Sequence, residues 1–169
     1  STVKYGCYLL FGGKSLEGCR GDQKYYIPSK WNLKDGYLHF KVVVNAMSDI
    51  IFAHQFKYFV FEVEWKISEG GNSGIFYLAQ ESASVGQDGK LHAEPIFISC
   101  PECQVLDNER HPDAKLGAVL GIRQSSSLYD MIPAKPQNAN PAGQWNKVKI
   151  VVKNGKVTHY QNGVKVLSY

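Results

Sequence analysis

Two side chains near the middle of the chain, Glu102 and Gln104, have the types and spacing to orient and act on a hydroxylated ligand. They belong to residues 101–108, Pro-Glu-Cys-Gln-Val-Leu-Asp-Asn, which read as a β-strand running into a polar loop. At strand period Glu102, Gln104 and Leu106 share one face, and Cys103, Val105 and Asp107 share the other. A carboxylate beside an amide suits sugar hydroxyls, which both donate and accept hydrogen bonds. The same alternation also fits an edge strand with one wet face.

A second candidate set lies upstream. Residues 56–67 alternate cleanly, with Phe59, Phe61, Val63, Trp65 and Ile67 on one face and Val60, Glu62, Glu64 and Lys66 on the other. Glu64 and Lys66 either pair to solvate a surface or line a groove. Residues 68–74, Ser-Glu-Gly-Gly-Asn-Ser-Gly, read as a turn containing Asn72 and Ser73, with a strand resuming at 75–80. Downstream, Asn108, Glu109, Arg110, His111 and Asp113 crowd one short stretch. Oxygen ligands there could hold Ca²⁺, but the spacing is not that of an EF-hand and Arg110 competes. No cofactor or metal is predicted, with a divalent cation as the minor alternative. Cys100 and Cys103 have the spacing of one zinc knuckle, but Cys7 and Cys19 are too far apart to supply the second. The thiols are read as free, with a disulfide as the alternative.

The elements that must position these residues are strands. The 169 residues suffice for a single domain with a sizeable core, and 44% hydrophobic against 20% charged residues excludes a disordered chain. Residues 31–44 read as a hairpin around Asp35-Gly36, and 145–160 as another around Asn154-Gly155. Asn162-Gly163 turns into a last strand over 164–169. An apolar run at 116–122 reads as a short strand, 81–95 as a long surface loop and 125–143 as an irregular crossing. No stretch has a helical period. The pattern predicts an all-β fold, an antiparallel β-sandwich or jelly roll. The net charge of +4 comes from scattered Lys and Arg, so nucleic acid is not an expected partner. No apolar run is long enough to span a bilayer. The chain opens on Ser1 rather than Met, which predicts a processed or trimmed N-terminus.

Several motifs, in order, resemble one family. Phe11-Gly12-Gly13-Lys14-Ser15-Leu16 is similar to its opening F-N-G-K-x-L, and residues 31–38 to W-x-x-x-D-G-x-L. Glu64-Trp65-Lys66-Ile67-Ser68 followed by 70–75 is close to E-W-K-I-S-x-G-G-N-S-G-I. Glu102-x-Gln104-Val105-Leu106-Asp107-Asn108 matches a second signature, and Leu128-Tyr129-Asp130, Gly143-x-Trp145-Asn146 and His159 through Gly163 follow in turn. The family is DUF1080, the 3-keto-disaccharide hydrolase domain. Cys19 stands where the family has Trp, and Leu78 where many members have Arg. Arg123 lies near a family Arg upstream of Leu-Tyr-Asp, at a shifted spacing.

The resemblance implies a concanavalin A-like jelly roll covering 1–169 as a single domain that lacks the family's usual C-terminal end. It implies an exported bacterial protein, periplasmic or at the cell surface, with a saccharide or keto-sugar ligand. It implies cleavage of 3-keto-glycosides by proton abstraction at C2, elimination of the C1 group and hydration. Glu102 is then the candidate acid or base, Lys66 the enolate stabiliser, and Glu64, Gln104 and Asn72 the groups that orient hydroxyls. Asp107, His111, Tyr129 and Arg123 complete the candidate substrate contacts. Two other readings stand beside this one: hydrolysis by the carboxylate pair Glu102 and Glu64, and a glycan-binding module without catalysis, in which Tyr129 or Trp145 would be a stacking platform.

Overall fold

The computed structural model describes residues 3–4, 7–41 and 48–169. The chain is all-β with antiparallel pairing throughout, as the alternation predicts. No helix among the described residues is long and apolar enough to cross a membrane.

Two compact units form, Ser1–Gln55 with Glu81–Ile96, and Phe56–Gln80 with Phe97–Tyr169. The first is a set of two-stranded sheets. β1 (Val3–Lys4) pairs with β2 (Cys7–Tyr8), β3 (Cys19–Gly21) with β6 (Ile50–Phe52), and β4 (Trp31–Lys34) with β5 (Tyr37–Phe40). Asp35 and Gly36 both take positive φ, the geometry a two-residue hairpin needs. Part of the expected second strand, at 42–44, lies outside the described residues. The expected loop over 81–95 carries a hairpin, β9 (Ala83–Val85) with β10 (Leu91–Ala93). Arg20 grips both carboxylate oxygens of Glu81 at 2.7 Å, and this pairing holds the Glu81 carboxyl down at about 2.

The second unit is a two-layer sandwich. One layer is a four-stranded sheet in the order β14 (Val164–Ser168), β13 (Lys156–Gln161), β12 (Asn146–Lys153) and β7 (Phe59–Trp65). The other is β8 (Asn72–Phe76) paired with β11 (Glu102–Leu106). The alternation of β7 decides which face closes the core: Phe59, Phe61, Val63 and Trp65 turn inward and meet Val148, Ile150 and Val152 of β12. Cys103, Val105, Ile75 and Tyr77 cover them from the other layer. The predicted Asn154-Gly155 and Asn162-Gly163 turns both form, each with two positive φ values.

Two local readings are corrected. Residues 116–122 are a string of turns rather than a strand, because Gly117 and Gly121 take φ of +102° and +92° and break the extension. Asn72, Ser73 and Gly74 are not turn residues but the first half of β8, opposite Leu106, Val105 and Gln104. The turn proper is Glu69-Gly70, closed by the Gly71 N–H donating to Ser68 O at 3.0 Å, with Gly70 at φ +63°.

Candidate active site

The outward face of the β8–β11 pair forms the floor of a cleft of about 380 Å³. Strand parity sends Cys103 and Val105 into the core and leaves Glu102 and Gln104 facing the cleft, as the sequence pattern predicts. Asn72 and Phe76 face it from β8. Glycine is required at 74 for a reason unrelated to turning. It stands opposite Gln104, and a Cβ there would collide with the Glu102 carboxylate, whose Cδ would lie 2.7 Å away. The missing side chain at 74 is the space in which the Glu102 carboxylate rests. Gln104 is 1% exposed, and its Oε1 accepts from the Val105 N–H at 2.9 Å, which fixes the amide at the cleft floor.

The segment 125–129 runs beside β11 on the other side. Gln104 N–H donates to Ser127 O and Ser126 N–H to Gln104 O, and Tyr129 N–H donates to Glu102 O at 3.0 Å. What reads as an irregular crossing is thus held like a strand. Ser125, Ser126 and Ser127 are fully buried, and each hydroxyl is satisfied, by Leu106, Gln161 and Gly121 respectively. This registry brings the Tyr129 ring to the cleft wall. Its hydroxyl donates to Asp113 Oδ2 at 2.9 Å, and burial with that acceptor pushes the phenol up to about 12. Arg123 holds Asp113 at 2.8 Å and both oxygens of Asp130 at 2.8 and 3.2 Å, with its guanidinium 5.3 Å from the Tyr129 ring centre. Burial opposes ionisation of Asp113, but Arg123 and the Tyr129 hydroxyl outweigh it and keep the carboxyl below its usual range. Arg123 is therefore committed to Asp113 and Asp130, and acts on the cleft through Tyr129.

The structure brings together four of the sequence-predicted residues, Glu102, Gln104, Asn72 and Tyr129. It does not bring Glu64 or Lys66 to them. Glu64 points away from the core on the outer face of the four-stranded sheet, opposite Lys147 in register. Lys66 lies 5.0 Å from the Trp145 ring centre. Glu64 and Glu102 thus project from opposite outer faces of a sandwich whose layers stack about 10 Å apart.

Asp107 and His111 serve the backbone around the site. Asp107, 2% exposed, accepts from the N–H groups of Gly70 (2.8 Å), Glu109 (3.1 Å) and Arg110 (3.3 Å), while its own N–H donates to Gly71 O. Burial would raise its pKa, yet these donors hold it below the usual range. His111 Nδ1 accepts from Asp113 N–H at 3.2 Å and caps a 3₁₀ turn, Pro112–Lys115. Asp107 is thus engaged by N–H groups and Asp113 by Arg123 and Tyr129, while the Glu109 carboxylate lies 3.5 Å from Arg110. Among the described residues no three His, Cys, Asp or Glu side chains converge as a metal would require. Cys7, Cys19, Cys100 and Cys103 form no disulfide, and burial pushes the Cys103 thiol up to about 12.

Sequence reasoning placed Asp113 only among possible cation ligands and Asp130 only within a motif, and missed both as the partners of Arg123. It also missed the apolar wall of the cleft, Phe76, Phe97, Leu128 and Met131. Only Phe76 left a signal, since it shares strand parity with Asn72.

The model of the 3-keto-alpha-glucoside-1,2-lyase-like domain family matches residues 6–169. The chain belongs to that family. This bears out the resemblance carried by the motifs. A 3-keto-disaccharide hydrolase of Bacteroides thetaiotaomicron is 55% identical over 170 residues, 97% of this chain and 58% of that relative. The lyase-like domain therefore spans little more than half of that relative's length. Among solved structures, a provisionally named glycosyl hydrolase of Parabacteroides distasonis matches with a TM-score of 0.78 at 27% identity, over 96% of this chain and 70% of the other. A second such protein from the same organism, at 21% identity and TM-score 0.67 over 92% of this chain and 68% of its own, shares the fold.

Proposed function

We propose that this domain cleaves 3-keto-glycosides, with Glu102 as the group that moves the proton. The observation that carries the reading is the carboxylate of Glu102 resting over Gly74, in a cleft that Asn72 and Gln104 also line and whose lining includes no second carboxylate. The family and the named activity of the Bacteroides relative support the substrate class.

A C3 ketone acidifies the C2–H bond. Glu102 takes that proton, and the electron pair forms the enolate C2=C3–O⁻. The enolate collapses to restore the ketone and form C1=C2, and the bond from C1 to the leaving oxygen breaks. Glu102, now protonated, gives its proton to that oxygen. Water then adds at C1 with Glu102 as base, and C2 takes the proton back, leaving the free 3-keto sugar. Asn72 and Gln104 supply amide N–H donors for the enolate oxygen and the neighbouring hydroxyls. Tyr129, held by Asp113 and Arg123, gives the ring a flat wall.

Two-carboxylate hydrolysis is the poorer reading. It needs carboxyl groups no more than about 9.5 Å apart, and Glu64 faces away from Glu102 across the core. The test is turnover of a 3-keto-glucoside by Glu102→Gln and Glu64→Gln. Glu102→Gln is expected to lose about 10³-fold in kcat, and Glu64→Gln to stay within about twofold of wild type, as for an ordinary surface change. Equal losses in both variants would contradict the proposal, as would near-normal turnover by Glu102→Gln.

A further inference from the structure

The Glu102 carboxylate does not stay in its own row of the sheet. Register sets Glu102 opposite Phe76 and Gln104 opposite Gly74, and opposed residues point to the same face. The carboxylate rests over Gly74, so it has crossed from the Phe76 row to lie beside the Gln104 side chain. Base and amide thus share one row, on strands whose paired Cα atoms are roughly 5 Å apart. A 3-keto sugar asks for this juxtaposition, because its C2–H and its C3 oxygen belong to adjacent carbons.

The Gln104 amide is also one-sided. The Val105 N–H can meet only its oxygen end, so the NH2 group is the end left for the cleft. The backbone of Gln104 is pinned as well, its N–H donating to Ser127 O and its carbonyl accepting from Ser126 N–H. Ser126 is fully buried at φ +64°, a conformation rare outside glycine that persists only where the surroundings over-determine it. Here its carbonyl accepts from His159 Nδ1 at 2.8 Å, and its hydroxyl donates to Gln161 Oε1 at 2.7 Å. The donor at 104 is thus preorganised, as a group that meets developing negative charge must be. Asn72 is placed differently. It lies one row further along, opposite Leu106, about 6.5–7 Å from the Gly74 row. Its amide is exposed and can turn either end to a hydroxyl.

Resting on the proposed keto-glycosidase reading, we infer that the two amides divide the work: Gln104 alone donates to the C3 oxygen as it gains charge, Asn72 binds sugar hydroxyls, and Ser126 is the positioning residue that holds Gln104 in place. As Glu102 takes the C2 proton, the electron pair moves onto the C3 oxygen, and the NH2 of Gln104 stands in the same row to receive it.

The test is steady-state turnover of a 3-keto-glucosyl-glucose, with exchange of C2–H for deuterium in free 3-keto-glucose as a second readout that needs no bond cleavage. Gln104→Met has a similar length and no donor. Gln104→Glu keeps the shape and the acceptor for Val105, and decides the matter should the first variant not fold. Each is expected to lose at least about 10²-fold in kcat and in the exchange rate. Asn72→Ala is expected to raise KM about tenfold with kcat within about threefold of wild type. Ser126→Ala is expected to lower kcat about tenfold with KM within about twofold, a split that a loss of stability alone would not produce. Normal kcat in a folded Gln104 variant, or a kcat loss in Asn72→Ala as large as in Gln104→Met, overturns the inference and leaves the keto-glycosidase reading standing. Normal kcat in folded Ser126→Ala overturns its positioning role. If wild type exchanges C2–H but cleaves nothing, that reading has failed, and loss of the exchange in Gln104→Met still upholds the inference. Absence of both exchange and cleavage in wild type overturns both.

Discussion

Gly74→Ala isolates the position of the Glu102 carboxylate from the stability of the fold. The added methyl would sit 2.7 Å from Glu102 Cδ and 2.9 Å from Cγ, where ordinary contact begins at 3.4 Å. The carboxyl must therefore retreat by at least about 0.7 Å, and more at the oxygen nearest the new methyl. Gly74 lies within β8 and is not among the glycines of positive φ, so Ala is compatible with its backbone. The atoms in the way belong to a side chain that can swing. Folding stability is thus expected to change by less than about 1 kcal/mol. Catalysis is not so tolerant, because a displacement of about 1 Å at a reacting group costs on the order of 10²-fold in rate. The assay is steady-state turnover of a 3-keto-glucoside, with thermal unfolding of both proteins as the control. The expected result is a loss of about 10²-fold, mostly in kcat, with Tm within a few degrees of wild type. A folded Gly74→Ala protein with kcat/KM within about threefold of wild type would refute the argument that this glycine houses the catalytic carboxylate.

Two further outcomes concern the frame around the site. Asp107→Ala removes the acceptor of three backbone N–H groups and the tie between the Gly70 turn and the loop after β11. A loss of roughly 3 kcal/mol is expected, seen as a fall of about 6–12 °C in Tm by calorimetry for a domain of this size, and a change below about 1 °C would show the clamp to be dispensable. His159 is fully buried: its Nδ1–H donates to Ser126 O at 2.8 Å, and its Nε2 accepts from the Tyr77 hydroxyl at 2.9 Å. Burial lowers its pKa, so the unfolded chain takes up this proton first as pH falls. The stabilisation is complete above the unfolded value near 6.5 and is lost as pH drops below it, by up to about 1.4 kcal/mol per pH unit. Urea unfolding at pH 7.5 and 5.5 should show this loss in wild type and a smaller one in His159→Gln. Asp22 and Asp49, raised by burial, titrate with the opposite sign and are common to both proteins. Equal losses in the two proteins would remove His159 from the account.

Much of the scaffold was legible because its signals are local. The charge-and-aromatic alternation of β7 and the Asn-Gly and Asp-Gly turns each fix a strand or a hairpin without help from distant residues. The pairing of Glu102 with Gln104 on one face was legible for the same reason. Misreadings arose where one residue type serves two purposes. Gly74 and its Asn-Ser neighbours have the composition of a turn, but the glycine is there to make room for a side chain from another strand. The apolar run at 116–122 looks like a strand until Gly117 and Gly121 bend it. Glu64 is a different case. Its parity correctly turned it outward, but a sandwich has two outer faces, and alternation within one strand cannot say which of them holds the cleft. Phe97, Leu128 and Met131 come from segments without periodicity, so their convergence depends on the fold as a whole.

The central claim is that the ketone at C3 is what lets Glu102 act. The most direct test is to offer wild-type protein a 3-keto-glucoside and its unoxidised parent side by side in deuterated water. The account predicts cleavage of the keto compound alone, with deuterium incorporated at C2 of the released sugar. Cleavage of both compounds at comparable rates, or cleavage of the keto compound with C2 retaining its original hydrogen, would contradict it.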